Sequence, residues 1–430
     1  MVIQVALYVF WLLMTLLAIS RLSFFRHTGI PLPHRILLFM LKVTAGIVLT
    51  LTYTYYYTDA SKSDIWRYYT DSVIISRLFF SHPDVWIRVI TGWNMQEPEV
   101  FRHILDTQNF CHPEGDIFTN NAFIIRLISL FNILTAENIY ANTLLFSFIG
   151  YTGLTALYRV LWKGVGELPA ILRYTPFFLA PGVVFWSAGL LKDAPVLAGM
   201  GLFLYCYTHK EAPWYIVVLG MLVAAWVICR NKLHILLTIL PVLPIIAQGQ
   251  WQIPRKYLYV WLGACILLAV ILFRPIGDLL HARRLEFLQL ANTERAGSLY
   301  STAVYSPSAY PMMFILGFVN GFMQPTPWQA ASVLQKLYGY SHFITMFFVI
   351  CLCIRYAHFR KLQNGNVLFC FIFSVLHITI IGVVVPVSGA LVHYRSFFMP
   401  FLLTGIIHIL NLENIIYDTT LLRNRFVLNK

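Results

Sequence analysis

Continuous apolar runs of about 20 residues recur along this 430-residue chain, and they constrain its fold more than any motif does. Each is long enough to cross the roughly 30 Å hydrocarbon core of a bilayer as a helix rising about 1.5 Å per residue. The runs are unbroken rather than alternating, which argues against a β-barrel. Charged residues make up 11% of the chain, where a soluble domain carries about a quarter. The expected fold class is therefore all-α: a polytopic integral membrane protein of about 11 transmembrane helices, forming a single membrane domain over residues 1–430.

The expected spans are 2–20, 36–57, 141–160, 172–190, 194–209, 214–229, 233–247, 257–273, 341–356, 367–386 and 396–411. No positive charge precedes the first, and Arg21, Arg26 and Arg35 follow it. That is the reverse of a signal peptide, so it reads as a retained span with its N-terminus outside. Lys163, Lys210, Arg255, Lys256, Arg360, Lys361 and the tail bearing Arg423, Arg425 and Lys430 then fall on the cytoplasmic side, as the positive-inside rule asks. Lys42 and Arg126 read as lying near the ends of apolar segments. The net charge of +13 fits such anchoring and contact with lipid phosphates, not a nucleic-acid partner. Of the seven cysteines only Cys111 lies in a long polar loop, so no disulfide framework is implied.

Two long outside segments interrupt the pattern, 58–121 and 274–340. The first holds half of the 18 acidic residues, Asp59, Asp64, Asp71, Asp84, Glu97, Glu99, Asp106, Glu114 and Asp116, yet it is rich in aromatic and aliphatic side chains. In "EPEVFRHILDTQ", Pro98 suits a first helical turn, and Val100, Phe101, Ile104 and Leu105 form an apolar stripe, which predicts a short helix on the membrane surface. Residues 120–134 predict another. A helix beginning near Ser63 places Asp64, Tyr68 and Asp71 on one face. A carboxylate held against apolar surface is a natural general base. The second segment carries Arg283, Arg284 and Arg295, then a Ser/Tyr/Pro-rich stretch that reads as a loop; "MQPTPWQAASVLQKLYGY" reads as an interfacial helix anchored by Trp328.

"FWSAGLLKDAPV" sets a lysine beside an aspartate inside apolar sequence. A charge at the bilayer centre costs about 2.5–3.5 kcal/mol on insertion scales, so the stretch is expected to split into two spans with Lys192 and Asp193 at an outside hairpin tip. Arg230, Lys232 and His234 fall at a second outside turn, and His393 and Arg395 at the start of the last span. Lys192, Arg230, Lys232 and Arg395 thus break the positive-inside bias on one face, opposite the acidic loop, and lysine and arginine there suit a phosphate or diphosphate headgroup. No P-loop, GxGxxG, GxSxG, HExxH or paired Cys/His site occurs. Nothing requires a cofactor, and a divalent metal is compatible with the chemistry.

These features together resemble the GT-C glycosyltransferases, membrane enzymes that use polyprenyl-phosphate-linked sugars. "FWSAGLLKD", "QPTPW" and "HYRSFFMP" also resemble membrane proteins of exopolysaccharide and O-antigen assembly. The resemblance implies a catalytic carboxylate in the first outside loop, a role that falls to Asp64 and next to Asp59. It implies lipid-phosphate binding by Lys192, Arg230, Lys232 and Arg395, with Tyr68, Asp71, Asp193 and His393 in support. The acids are spaced as "DASKSD" instead of forming the family's adjacent pair. The implied activity is sugar transfer from a polyprenyl-phosphate donor to a glycan, lipid or protein acceptor, at the outer face of a bacterial inner membrane. A polysaccharide polymerase would instead weigh Arg283, Arg284 and Arg295, and a flippase or transporter would need charges in mid-span or broken helices at the midplane.

Overall fold

A computed structural model describes residues 2–56, 63–95, 97–110, 121–162, 168–209, 212–251, 254–294, 299–329 and 333–410. Asp59, Cys111, Glu114, Asp116, Lys163, Lys210, Arg295, Arg423, Arg425 and Lys430 lie outside the described residues. Among the described residues the secondary structure is helical apart from two isolated bridges, Leu299–Val387 and Ala357–Leu410. Among the described residues, six helices are long and apolar enough to cross a membrane, Val2–Arg21, Leu32–Tyr55, Ile139–Leu161, Trp214–Ala247, Gln335–Tyr356 and Gly365–Val384. Two bent pairs, Lys256–Ile271 with Phe273–Gln289 and Ser388–Phe397 with Met399–Ile409, would bring the number to eight. Large side chains such as Leu13, Leu219, Leu222, Ile266 and Phe347 are exposed on these helices. That pattern suits lipid rather than water.

The chain forms two compact units, Met1–Leu236 and Leu237–Lys430. In the first the helices are α1 (Val2–Arg21), α2 (Leu32–Tyr55), α3 (Asp64–Ser81), α4 (Pro83–Thr91), α5 (Pro98–Ile104), α6 (Ala122–Thr135), α7 (Ile139–Leu161), α8 (Pro181–Trp186), α9 (Asp193–Thr208) and α10 (Trp214–Ile239). Local chemistry sets several starts. Pro83 and Pro98 open α4 and α5, where a missing N–H costs nothing. Asn138 caps α7 by accepting from the N–H groups of Tyr140 (3.0 Å) and Ala141 (3.1 Å).

The acidic segment does not float. Ile65, Ile75, Val85, Val89, Val100, Ile104, Ile124 and Ile128 of α3 to α6 bury into one core with Leu49, Phe146 and Leu190. In α5, Val100 and Ile104 carry the burial, while Phe101 and Leu105 are exposed. Residues four apart share a helix face, whereas the next residue points about 100° away. A polar ladder joins α3, α6 and α7: Asn132 Nδ2 donates to Ser72 Oγ at 2.9 Å, and Thr135 Oγ1 to Asn142 Oδ1 at 2.8 Å.

Three stretches depart from the expected spans. Residues 172–190 do not form one helix: a short turn Ala170–Tyr174 passes into a π-helical turn Thr175–Leu179, then the six-residue α8. Pro176 and Pro181 each remove an amide donor, so no continuous ladder can form. Residues 214–239 run as one helix broken at Lys232, whose φ of −151° and ψ of 73° are not helical. The outside segment expected from 274 begins with a helix, Phe273–Glu294, and ends in another, Tyr310–Met323, while the Ser/Tyr/Pro-rich stretch between them is non-helical over 299–306.

In the second unit the helices are α11 (Leu243–Trp251), α12 (Arg255–Ile271), α13 (Phe273–Glu294), α14 (Tyr310–Met323), α15 (Val333–Tyr356), α16 (Gly365–Val384), α17 (Ser388–Tyr394) and α18 (Met399–Ile409). The most apolar, α16, is the hub, packed by α14, α18, α11 and α13. Of the interfacial helix expected at 323–340, residues 324–329 are non-helical and 333–340 form the start of the 24-residue α15.

Candidate functional site

The site is built around the irregular stretch 187–192 of the first unit. This stretch is not a solvated hairpin tip. Ser187, Ala188, Leu190 and Leu191 are buried, and Asp193, the first residue of α9, is 0% exposed. The chain enters between α2 and α7 because both present glycine there. A side chain at Gly46 would begin 2.6 Å from the Ala188 carbonyl, and one at Gly150 would strike the Ser187 carbonyl. Gly46 lies nine residues before the end of α2, about 14 Å along the axis. Irregular backbone at such depth must be shielded by protein and find its own partners. Ser147 Oγ provides one, donating to the Ala188 carbonyl at 2.7 Å.

Lys42 is the residue the sequence reading misplaced. It sits ten residues into the 24-residue α2, not near an end, and is 2% exposed. Its Nζ donates to Ser187 Oγ at 2.6 Å, and Ser187 Oγ donates in turn to the Val183 carbonyl. The negative charge of Asp193 acts on both Lys42 and Lys192. A lone lysine within an apolar run was visible in the sequence; the distant carboxylate that acts on it was not.

Lys192 lies in the turn before α9, outside every helix of spanning length, and is half-buried. Its Nζ stands 5.9 Å from the centre of the Tyr68 ring, within cation–π reach. Lys192 also feels Asp64, which is exposed at the start of α3, and Lys232, which is 6% exposed at the break of α10. Burial first, then Lys232, lowers the Lys192 ammonium to about 8; Asp64 and Asp193 oppose the shift. The fold thus brings Asp64, Tyr68, Lys192, Asp193 and Lys232 into one neighbourhood and adds Lys42. Trp66 Nε1 donates to Thr54 Oγ1 at 3.1 Å, tying α3 to the end of α2.

Asp71 shares the α3 face with Tyr68 but not its role. It is 1% exposed, and its carboxylate accepts from the N–H groups of Gln108 (3.0 Å) and Asn109 (2.7 Å). Burial raises its proton affinity, and these N–H groups pull it back. The residue clamps the chain after α5 onto α3. Arg230, half-buried on α10, acts electrostatically on Arg126 of α6. Arg126 is lowered to about 10 by burial and then by Arg230, so it stays charged near neutral pH.

Arg395 and His393 belong to the second unit. Arg395 is 3% exposed and donates to the carbonyls of Gly321 (2.8 Å) and Phe322 (2.9 Å), beside His342 at 3.3 Å. It ties the end of α17 to the end of α14. His393 meets Tyr394 edge to face at 6.0 Å. Arg284 is engaged similarly, donating to the carbonyls of Ala303 (2.9 Å), Val383 (2.8 Å) and Ser301 (3.1 Å). Arg283 pairs with Glu286 at 2.7 Å.

Among the described residues no group of three or more His, Cys, Asp or Glu side chains is gathered as a metal site. The chain matches no protein-family model, no curated protein and no solved structure.

Proposed function

We propose that the protein is an integral membrane glycosyltransferase that moves a sugar from a polyprenyl-phosphate donor to a glycan, lipid or protein hydroxyl, at the outer face of a bacterial inner membrane. One observation carries this reading: exposed Asp64 stands beside the half-buried Lys192, with Tyr68 and Lys232 close by. An exposed carboxylate can receive an acceptor's proton, while cations beside it stabilise a departing phosphate. In the step proposed, the acceptor oxygen bonds to the anomeric carbon as that carbon's bond to the phosphate oxygen breaks. The electron pair leaves with the phosphate, and the hydroxyl proton passes to Asp64. Lys192 and Lys232 balance the charge that builds on the leaving oxygen.

The test is Asp64→Asn in the full-length protein, followed by lipid mass spectrometry and an assay of glycan product. The expected result is retained polyprenyl phosphate with product lost. Undiminished product would refute the catalytic role.

A second reading, a flippase for lipid-linked sugars, is favoured by the buried Lys42 in mid-helix and the broken segment 170–192 beside it. Movement of lipid-linked sugar across vesicles of the purified protein, without covalent change, would select it.

A further inference from the structure

Arg126 and Arg230 are 104 residues apart in the chain, and the sequence gives no reason to join them. The fold does so through a ring contact. Phe123 of α6 meets Trp226 of α10 edge to face, with centroids 5.2 Å apart. Arg126 lies three residues beyond Phe123 and Arg230 four beyond Trp226, so both project one turn past that contact, on the same sides of their helices. The two guanidinium groups act on each other electrostatically.

Like charges in such positions favour an anion. Arg126 Nε donates to the Val89 carbonyl at 2.7 Å, and its guanidinium carbon lies 5.3 Å from the centre of the Phe110 ring. These contacts fix the fork while leaving its two terminal nitrogens as donors. Among the described residues no carboxylate pairs with Arg126 or Arg230. Of the described acids, Asp193 acts on Lys42 and Lys192, and Asp64 on Lys192. Arg230 and Lys232 are two residues apart across the helix break, so their Cα atoms are separated by at most about 7 Å. The break thus sets a residue of each pair at neighbouring positions of the chain.

We propose that Arg126 and Arg230 form a second anion subsite next to Lys192 and Lys232, so that the site takes a diphosphate rather than a single phosphate group. One phosphate is served by the two ammonium groups. The second meets two guanidinium groups, whose planar forks suit two oxygens of one phosphate. Applied to sugar transfer, the inference rests on the transferase reading: a departing lipid diphosphate carries one more negative charge than a monophosphate, and the arginines supply the matching cations.

The experiment measures binding, so that it separates the subsite from the activity. Full-length protein in lipid nanodiscs is titrated calorimetrically with inorganic pyrophosphate and with inorganic phosphate at fixed ionic strength. Pyrophosphate is expected to bind about tenfold more tightly, equivalent to about 1.4 kcal/mol. Arg230→Gln should abolish that preference while changing phosphate affinity less than about twofold, an amount well under 1 kcal/mol. Arg126→Lys, which keeps the charge but loses the fork, should reduce the preference and leave the fold intact. Equal binding of the two anions by the unmodified protein, or an equal loss of both in Arg230→Gln, would overturn the proposal, as would binding of neither. Competition by polyprenyl diphosphate assigns the headgroup to a lipid. Competition by a nucleoside diphosphate alone keeps the subsite but removes its lipid donor, and with it the transferase reading.

Discussion

Replacing Lys42 with methionine tests the buried charge arrangement directly. The ammonium is 2% exposed, bonds Ser187, and shares the fully buried Asp193 with Lys192. Asp193 acts on Lys42 electrostatically, and removing one of two compensating buried charges costs up to the about 3–5 kcal/mol of a broken buried ion pair, because the other charge is left with less compensation. Lys192 still neighbours Asp193, and Ser187 keeps its bond to the Val183 carbonyl. The expected cost is therefore at the lower end, about 3 kcal/mol, which lowers the melting temperature of a unit this size by roughly 6–12 °C. Lys42→Met/Asp193→Leu removes both charges but also takes Asp193 from Lys192, so part of the loss should return, giving a coupling energy of about 1 kcal/mol. Thermal unfolding followed by tryptophan fluorescence in nanodiscs reads all three variants. Strictly additive losses would show that Lys42 and Asp193 do not compensate each other, and the account of the buried stretch 187–193 would fail.

Anion binding should weaken as pH rises through about 8, since the lowered Lys192 loses its proton there instead of near 10.5; pyrophosphate titrations from pH 6.5 to 9 check this. Asp71→Ala leaves the buried N–H groups of Gln108 and Asn109 without an acceptor, at about 1–3 kcal/mol each, and hydrogen exchange at those two amides should accelerate. Because burial raises Asp71 in the folded chain, its contribution to stability is full below the ordinary carboxylate range. It declines as pH climbs through the folded value, and melting curves across that range should lose this slope in the alanine variant. Arg284→Met orphans the buried Val383 carbonyl and leaves those of Ser301 and Ala303 to water, so destabilisation of about 1–3 kcal/mol is expected in the second unit. Unchanged melting would refute its role as a clamp.

The sequence alone determined the solvent and the secondary-structure type. Runs of about 20 apolar residues with few charges can satisfy their backbone in lipid only as helices. It also fixed local starts: Pro98 opening α5, and α3 beginning after Ser63. These depend on interactions within one or two turns, which adjacent residues carry. Tertiary structure decided where the charges went. That 187–192 is buried follows from Gly46 and Gly150, about 140 and 40 residues away in the chain. Lys42 finds Ser187, Arg126 finds Arg230 through Phe123 and Trp226, and Asp71 turns from Asp64 toward the backbone of Gln108 and Asn109. A side chain's hydrogen-bond partner, burial and ionisation depend on groups brought near by packing, and hydrophobic periodicity carries no record of which distant groups those are.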